Sequence, residues 1–226
     1  VNVQRIEVTN DDDQAILIDL SGTVGVETLV SKNSSDDITF LQATSLNANG
    51  ADIELNNVTN GAPGNTAPDV NVQYQDSVVA GDTVVDVVIK TSFADNLKIG
   101  SVSNGNSGIE TVNISNELGA SELDTLDTNL TTLNIKATQN LKIDDALNTT
   151  VRTIDASEST ATVDIDFSDN DGANQDVTYI GSSGIDIVEA GNADDSISTG
   201  TGDDTVNAAN GDNFVDAGEG ANSVTS

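Results

Sequence analysis

The chain has 226 residues, 38 acids against 7 bases and a formal charge of −31, with 36% hydrophobic residues but only 3% aromatic. With neither His nor Cys, it excludes zinc catalysis, a Ser-His-Asp triad, a thiolate nucleophile and haem or iron–sulfur ligation, and its negative charge argues against nucleic acid. No apolar run approaches the roughly 18 residues of a membrane span, and abundant Val, Ile and Leu with few rings favour thin β-branched layers over disorder or one thick core.

In order, the chain reads as repeated pairs of short strands. Met is absent and Val1 opens straight into a strand-like pattern, which suggests a segment processed or excised from a longer protein. The first phrase, Val3-Gln4-Arg5-Ile6-Glu7-Val8, alternates apolar and polar residues, and Val26-Glu27-Thr28-Leu29-Val30 repeats its form. Both prolines fall within Asn60 to Pro68. Residues 61–69 are therefore expected as an exposed loop or junction between irregular coils over 1–60 and further coils over 70–176. Val84 to Ile89 is another candidate copy. The pattern then sharpens to apolar-x-Thr-apolar-x-apolar: Ile109-Glu110-Thr111-Val112-Asn113-Ile114, Leu130-Thr131-Thr132-Leu133-Asn134-Ile135 and Val151-Arg152-Thr153-Ile154-Asp155-Ala156, spaced 21 residues apart. Within each phrase the fourth and sixth side chains share a face and the fifth points away. Second strands come at Leu97-Lys98-Ile99, Leu141-Lys142-Ile143 and Val163-Asp164-Ile165, with Gly, Asn, Asp and Ser filling the turns between.

One repeat is strand, turn, strand, turn, with no room for a helix. So small a unit cannot bury its apolar side alone, whereas stacked copies share a continuous interior. The expected fold is all-β: a parallel β-solenoid of irregular coils of about 21 residues. Roughly ten coils about 4.8 Å apart make a body on the order of 50 Å long. A sandwich of short antiparallel strands would also give regular turns, but not matching Thr and Asn at a fixed step. Asp11-Asp12-Asp13, Asp36-Asp37, Asp144-Asp145 and Asp169-Asn170-Asp171-Gly172 read as solvated turns able to share an ion with a neighbouring coil.

Residues 153–226 hold 16 acids and no base. Repulsion at that density opposes compaction unless cations bind. From residue 181 the period is nine: GSSGIDIVE, AGNADDSIS, TGTGDDTVN, AANGDNFVD and AGEGANSVT. The eighth position is Val188, Ile197, Val206, Val215 and Val224, and the sixth is Asp186, Asp195, Asp204, Asn213 and Asn222. Glycines permit the left-handed turn, the sixth residue adds oxygen ligands, and the eighth faces the core. Calcium takes about 6–8 oxygens at about 2.3–2.6 Å in a tolerant geometry. Each nonapeptide makes half a coil, so Asp186, Asp204 and Asn222 should stack on one side, and Asp195 and Asn213 on the other.

These lines resemble the RTX repeat, G-G-x-G-x-D-x-U-x, of calcium-binding proteins exported by Gram-negative bacteria, and imply an RTX β-roll over 177–226. They depart from it where the first glycine survives only at Gly181 and where Asn replaces the last two acids. The resemblance implies Ca2+ between stacked turns. The best site would pair Asp186 with Asp204, near the carbonyls of Gly181, Ser183, Gly200 and Gly202. Weaker sites would pair Asp195 with Asn213 and Asp204 with Asn222, while the fifth-position Asp194, Asp203 and Asp212 project outward. Together with the Thr-Val-Asn-Ile phrases, residues 100–226 are similar to the lattice-forming region of type I-secreted surface-layer (S-layer) proteins, and more loosely to RTX adhesins. That similarity implies a secreted structural protein at the cell surface, whose partners are other copies of itself and cell-surface polysaccharide. No enzyme is expected, because the aromatic and basic residues that line an acidic-dyad glycosidase cleft are scarce. The alternative is a segment of an adhesin or biofilm-matrix protein that binds cells or glycans.

Overall fold

A computed structural model describes residues 4–46, 52–59 and 67–226. Among these residues are twenty strands and no helix, from β1 (Arg5–Val8) to β20 (Ser223–Thr225). The odd-numbered strands form one ten-stranded sheet and the even-numbered strands the other, each in chain order. All strand pairs within them are parallel. The chain crosses from one sheet to the other after every strand, so one odd and one even strand make a coil and ten coils stack. This is the parallel solenoid; an antiparallel sandwich is ruled out.

The register explains the sequence phrases. Thr111, Thr132 and Thr153 lie in line, as do Val112, Leu133 and Ile154, so the 21-residue spacing is one coil. Val112, Ile114, Leu133, Ile135 and Ile154 are buried, and Asn113 and Asn134 face outward between them, Asn134 donating to Asn113 at 2.7 Å. One expected copy needs a shift. Val84 pairs with Thr111 and Val85 with Val112, so the phrase equivalent to Thr111 to Ile114 is Val84-Val85-Asp86-Val87. The earlier coils are longer than 21 residues, the step from Ile53 to Val87 being 34. Of the expected loop at 61–69, residues 61–66 lie outside the described residues. Pro68 is buried and its carbonyl accepts the Asp95 N–H. Val3 of the first phrase also lies outside them.

The interior is one apolar column running from Leu20 to Ala208. Phe40, Tyr74, Phe167 and Tyr179 are its largest fully buried side chains. Each such ring or aliphatic group contributes roughly 1.5–3 kcal/mol by leaving water. Beyond Tyr179 only β-branched and alanine side chains remain, Val188, Ile197 and Val206 buried and Val224 46% exposed. Cations of the long coils pin one coil to another. Glu54, itself buried, takes Arg5 at 3.1 Å and Lys90 at 3.2 Å. Burial alone would push the Glu54 carboxyl up, but bonds from Arg5, Lys90 and Asn56 outweigh it and hold the group below its ordinary range.

Candidate metal centre

The sixth-position side chains of Asp195, Asp204, Asn213 and Asn222 each reach back 18 residues to the preceding coil. The Val177 N–H donates to Asp195 Oδ1 at 2.8 Å and the Asp186 N–H to Asp204 Oδ1 at 2.9 Å. The Asp195 N–H donates to Asn213 Oδ1 at 2.8 Å and the Asp204 N–H to Asn222 Oδ1 at 2.9 Å. Two columns result: Asp186, Asp204 and Asn222 on one side, and Val177, Asp195 and Asn213 on the other. Asp186, Asp195 and Asp204 are at most 2% exposed. The fifth-position acids are exposed and bond in the opposite direction, Asp194 accepting from the Asp212 N–H and Asp203 from the Ala221 N–H, both at 2.8 Å.

Glycine is dictated by how closely the turns stack. Gly202 and Gly220 have φ of 143° and 140°, a region closed to other residues. A Cβ on either would strike a carbonyl of the turn beneath, that of Gly184 and Gly202 respectively. Turn carbonyls thus point along the stack, as a cation between turns needs. Of the carbonyls expected as ligands, that of Ser183 accepts the Thr201 hydroxyl at 3.3 Å and that of Gly200 the Glu219 N–H at 3.0 Å. Gly181 packs against the Thr199 carbonyl and Asp186 Oδ2.

With one terminal atom of Asp195, Asp204, Asn213 and Asn222 committed to the preceding coil, the other decides the chemistry. Asn213 Nδ2 donates to its own turn's Ala208 and Asn210 carbonyls at 2.7 and 3.1 Å, and Asn222 Nδ2 to those of Ala217 and Gly218. Asp186 is satisfied by other means: Tyr179 donates its hydroxyl to Oδ1 at 2.5 Å, and the Ser182 N–H and hydroxyl donate to Oδ2. Asp195 Oδ2 and Asp204 Oδ2 are buried with no hydrogen-bond partner among the described residues. Orphaned buried carboxylate oxygens are costly. Burial raises the Asp195 carboxyl to about 6 against the Val177 hydrogen bond, with Asp176 and Asp194 adding repulsion. Burial likewise raises Asp186, offset in part by Tyr179 and Ser182. Hard anionic oxygens without donors, beside carbonyls held in fixed turns, fit a calcium ion.

Sequence reasoning missed Tyr179 and Ser182 as partners of Asp186. The signal was present: GANQDVTYI over 172–180 keeps the nonapeptide register, with Val177 in the acid's place and Tyr179 at the core position. Elsewhere, the Asp144 of an expected acidic turn meets Glu122 and Asp124, their carboxylate oxygens within 4.8 Å of one another. Lys142 already reaches Asp144 at 2.5 Å and Glu122 at 3.8 Å, so this group has its counter-charge. Asn170 is buried and donates to the Val151 and Gln175 carbonyls, bracing its turn.

Stacked parallel coils with columns of buried acids and unpartnered oxygens define a cation-binding β-solenoid. The RTX calcium-binding nonapeptide repeat (4 copies) matches residues 180–215 and, overlapping them, 189–224. The end of the chain therefore carries RTX repeats, and these are calcium-binding motifs. No curated protein and no solved structure matches the chain.

Proposed function

We propose that the protein is an extracellular structural element whose C-terminal β-roll folds on binding calcium and whose solenoid assembles with copies of itself into a surface layer or comparable lattice. The observation that carries the calcium step is the pair of buried, donor-free oxygens on Asp195 and Asp204. These two side chains would hold the ions, with Asp186 alongside Asp204 in its column, the carbonyls at Gly181, Ser183, Gly200 and Gly202 nearby, and Asn213 and Asn222 as neutral members of the columns. Calcium supplies the positive charge that a stretch of 16 acids without a base cannot supply for itself. An ion that binds only the stacked state stabilises it by about 2.7 kcal/mol when present at a hundred times its dissociation constant.

The structural role rests on the form of the chain: two long sheets and outward ladders such as Asp86–Asn113–Asn134. Four of the six rings are buried, and the exposed Phe93 and Phe214 lie on different sheets, so they build no stacking platform for sugars. The adhesin reading has one observation in its favour. An open polar groove of about 410 Å³ on the first sheet, lined by Asn113, Asn134, Lys136, Asp155 and Glu158 among others, offers paired donors and acceptors to a hydroxyl-rich ligand. Electron microscopy of the purified protein with calcium separates the two. Ordered sheets or filaments support assembly; isolated rods that bind a glycan array support the adhesin.

A further inference from the structure

Asp and Asn are the same shape and differ at one terminal atom, and the two columns use both. In Asp195, Asp204, Asn213 and Asn222 alike, Oδ1 takes an N–H from the coil before. In Asn213 and Asn222 the remaining atom faces the carbonyls of its own turn. It is an amide nitrogen, and its two protons meet two carbonyls: Ala208 and Asn210, or Ala217 and Gly218. In Asp195 and Asp204 it is an oxygen without a donor, in turns whose corresponding carbonyls belong to Ala190 and Asn192, or Thr199 and Gly200. By that register an acceptor stands where the Asn turns have a donor, a buried deficit that a cation or a proton relieves.

We infer that Asn213 and Asn222 are built-in replacements for the ion: their amides close turns 208–213 and 217–222 without metal, so the calcium demand of the β-roll falls on the Asp195 and Asp204 turns. The Asn213 and Asn222 turns are then metal-independent members of a metal-dependent stack. A single atom type, oxygen or nitrogen, sets which turn needs an ion. For its ion count the inference rests on the calcium reading above; its metal-free half does not.

Two double variants of the full chain test it, N213D/N222D and D195N/D204N, with calcium alone as ligand. Equilibrium dialysis counts bound ions, and circular dichroism follows thermal unfolding of the tail in chelator. N213D/N222D should take up to one further ion per substituted turn, and its midpoint in chelator should fall. D195N/D204N should lose ions while its midpoint in chelator rises, each by roughly 2–4 °C per turn, the shift that about one lost or gained hydrogen bond produces in a chain of this size. A midpoint in chelator that is unchanged or raised in N213D/N222D overturns the inference, as does one unchanged or lowered in D195N/D204N. Wild type that takes up no calcium sinks the calcium reading separately and leaves the chelator comparison to decide this one.

Discussion

Between Ile38 and Phe167 the coils enclose Phe40, Tyr74 and Phe167, and they are tied across by Lys90 to Glu54, Lys98 to Asp127 and Lys142 to Glu122. From Val177 onward the same two sheets continue with no base at all, and after Tyr179 the interior holds only side chains of valine size or close to it. The strands shorten to three or four residues and the coil to 18. The long coils are thus held by apolar volume and resident ammonium or guanidinium groups, whereas the short ones have smaller core side chains and no bases, and on the function proposed above imported cations take their place. The comparison teaches that a solenoid can give up its large core side chains and its bases without changing its topology.

The largest expected effect lies in the long coils. Phe40→Ala should cost about 3–5 kcal/mol, with the same loss in calcium and in chelator by denaturant unfolding. A loss that calcium repairs would break the division. Acid should next pull the two regions apart. Glu54 is held below its ordinary pKa, so its contribution is in place above the unfolded value and is lost as pH falls through the folded one. Asp195 is raised to about 6, so its ionised form burdens the metal-free fold above about 6. That burden is relieved as pH falls from there toward the ordinary carboxylate range. In chelator, acidification across that window should stabilise the tail, read from tail amides by exchange, and should not stabilise the long coils. With calcium present the proton competes with the ion, and the trend should reverse. The smallest effect is local. Ala209 sits at φ 48° in the second position of its turn, where three other repeats have glycine. Ala209→Gly should stabilise the β-roll by about 1 kcal/mol, seen as a raised tail midpoint.

Much of this was legible in the residues. The Thr-Val-Asn-Ile phrases at a 21-residue step encode in-register parallel strands, because a coil must close on itself before the next copy can pair. The period of nine encodes the columns, since half a coil alternates sides. What stayed hidden depends on contacts across coils. The register of GANQDVTYI puts Val177 in the acid's place and Tyr179 at the core position, but only the folded contacts show that the Tyr179 hydroxyl caps Asp186 and that the Val177 N–H donates to Asp195. The role of Asn213 and Asn222 was half visible: their position marked them as members of the columns, but only the direction of each amide tells a donor to the turn carbonyls from a weak ligand. The early coils resisted for a plainer reason. Their turns vary in length, and in β3 (Thr28–Lys32) Leu29, Val30 and Ser31 are all buried, which erases the two-residue alternation.

Hydrogen–deuterium exchange across the intact chain, in calcium and then in chelator, tests the division most directly, because it reads both regions in one molecule. Amides of 177–226 should be protected with calcium and exchange quickly without it, while those of the 84–166 strands stay protected in both. Protection of the tail that ignores calcium, or long coils that open together with it, would contradict a fold held by apolar volume at one end and by metal at the other.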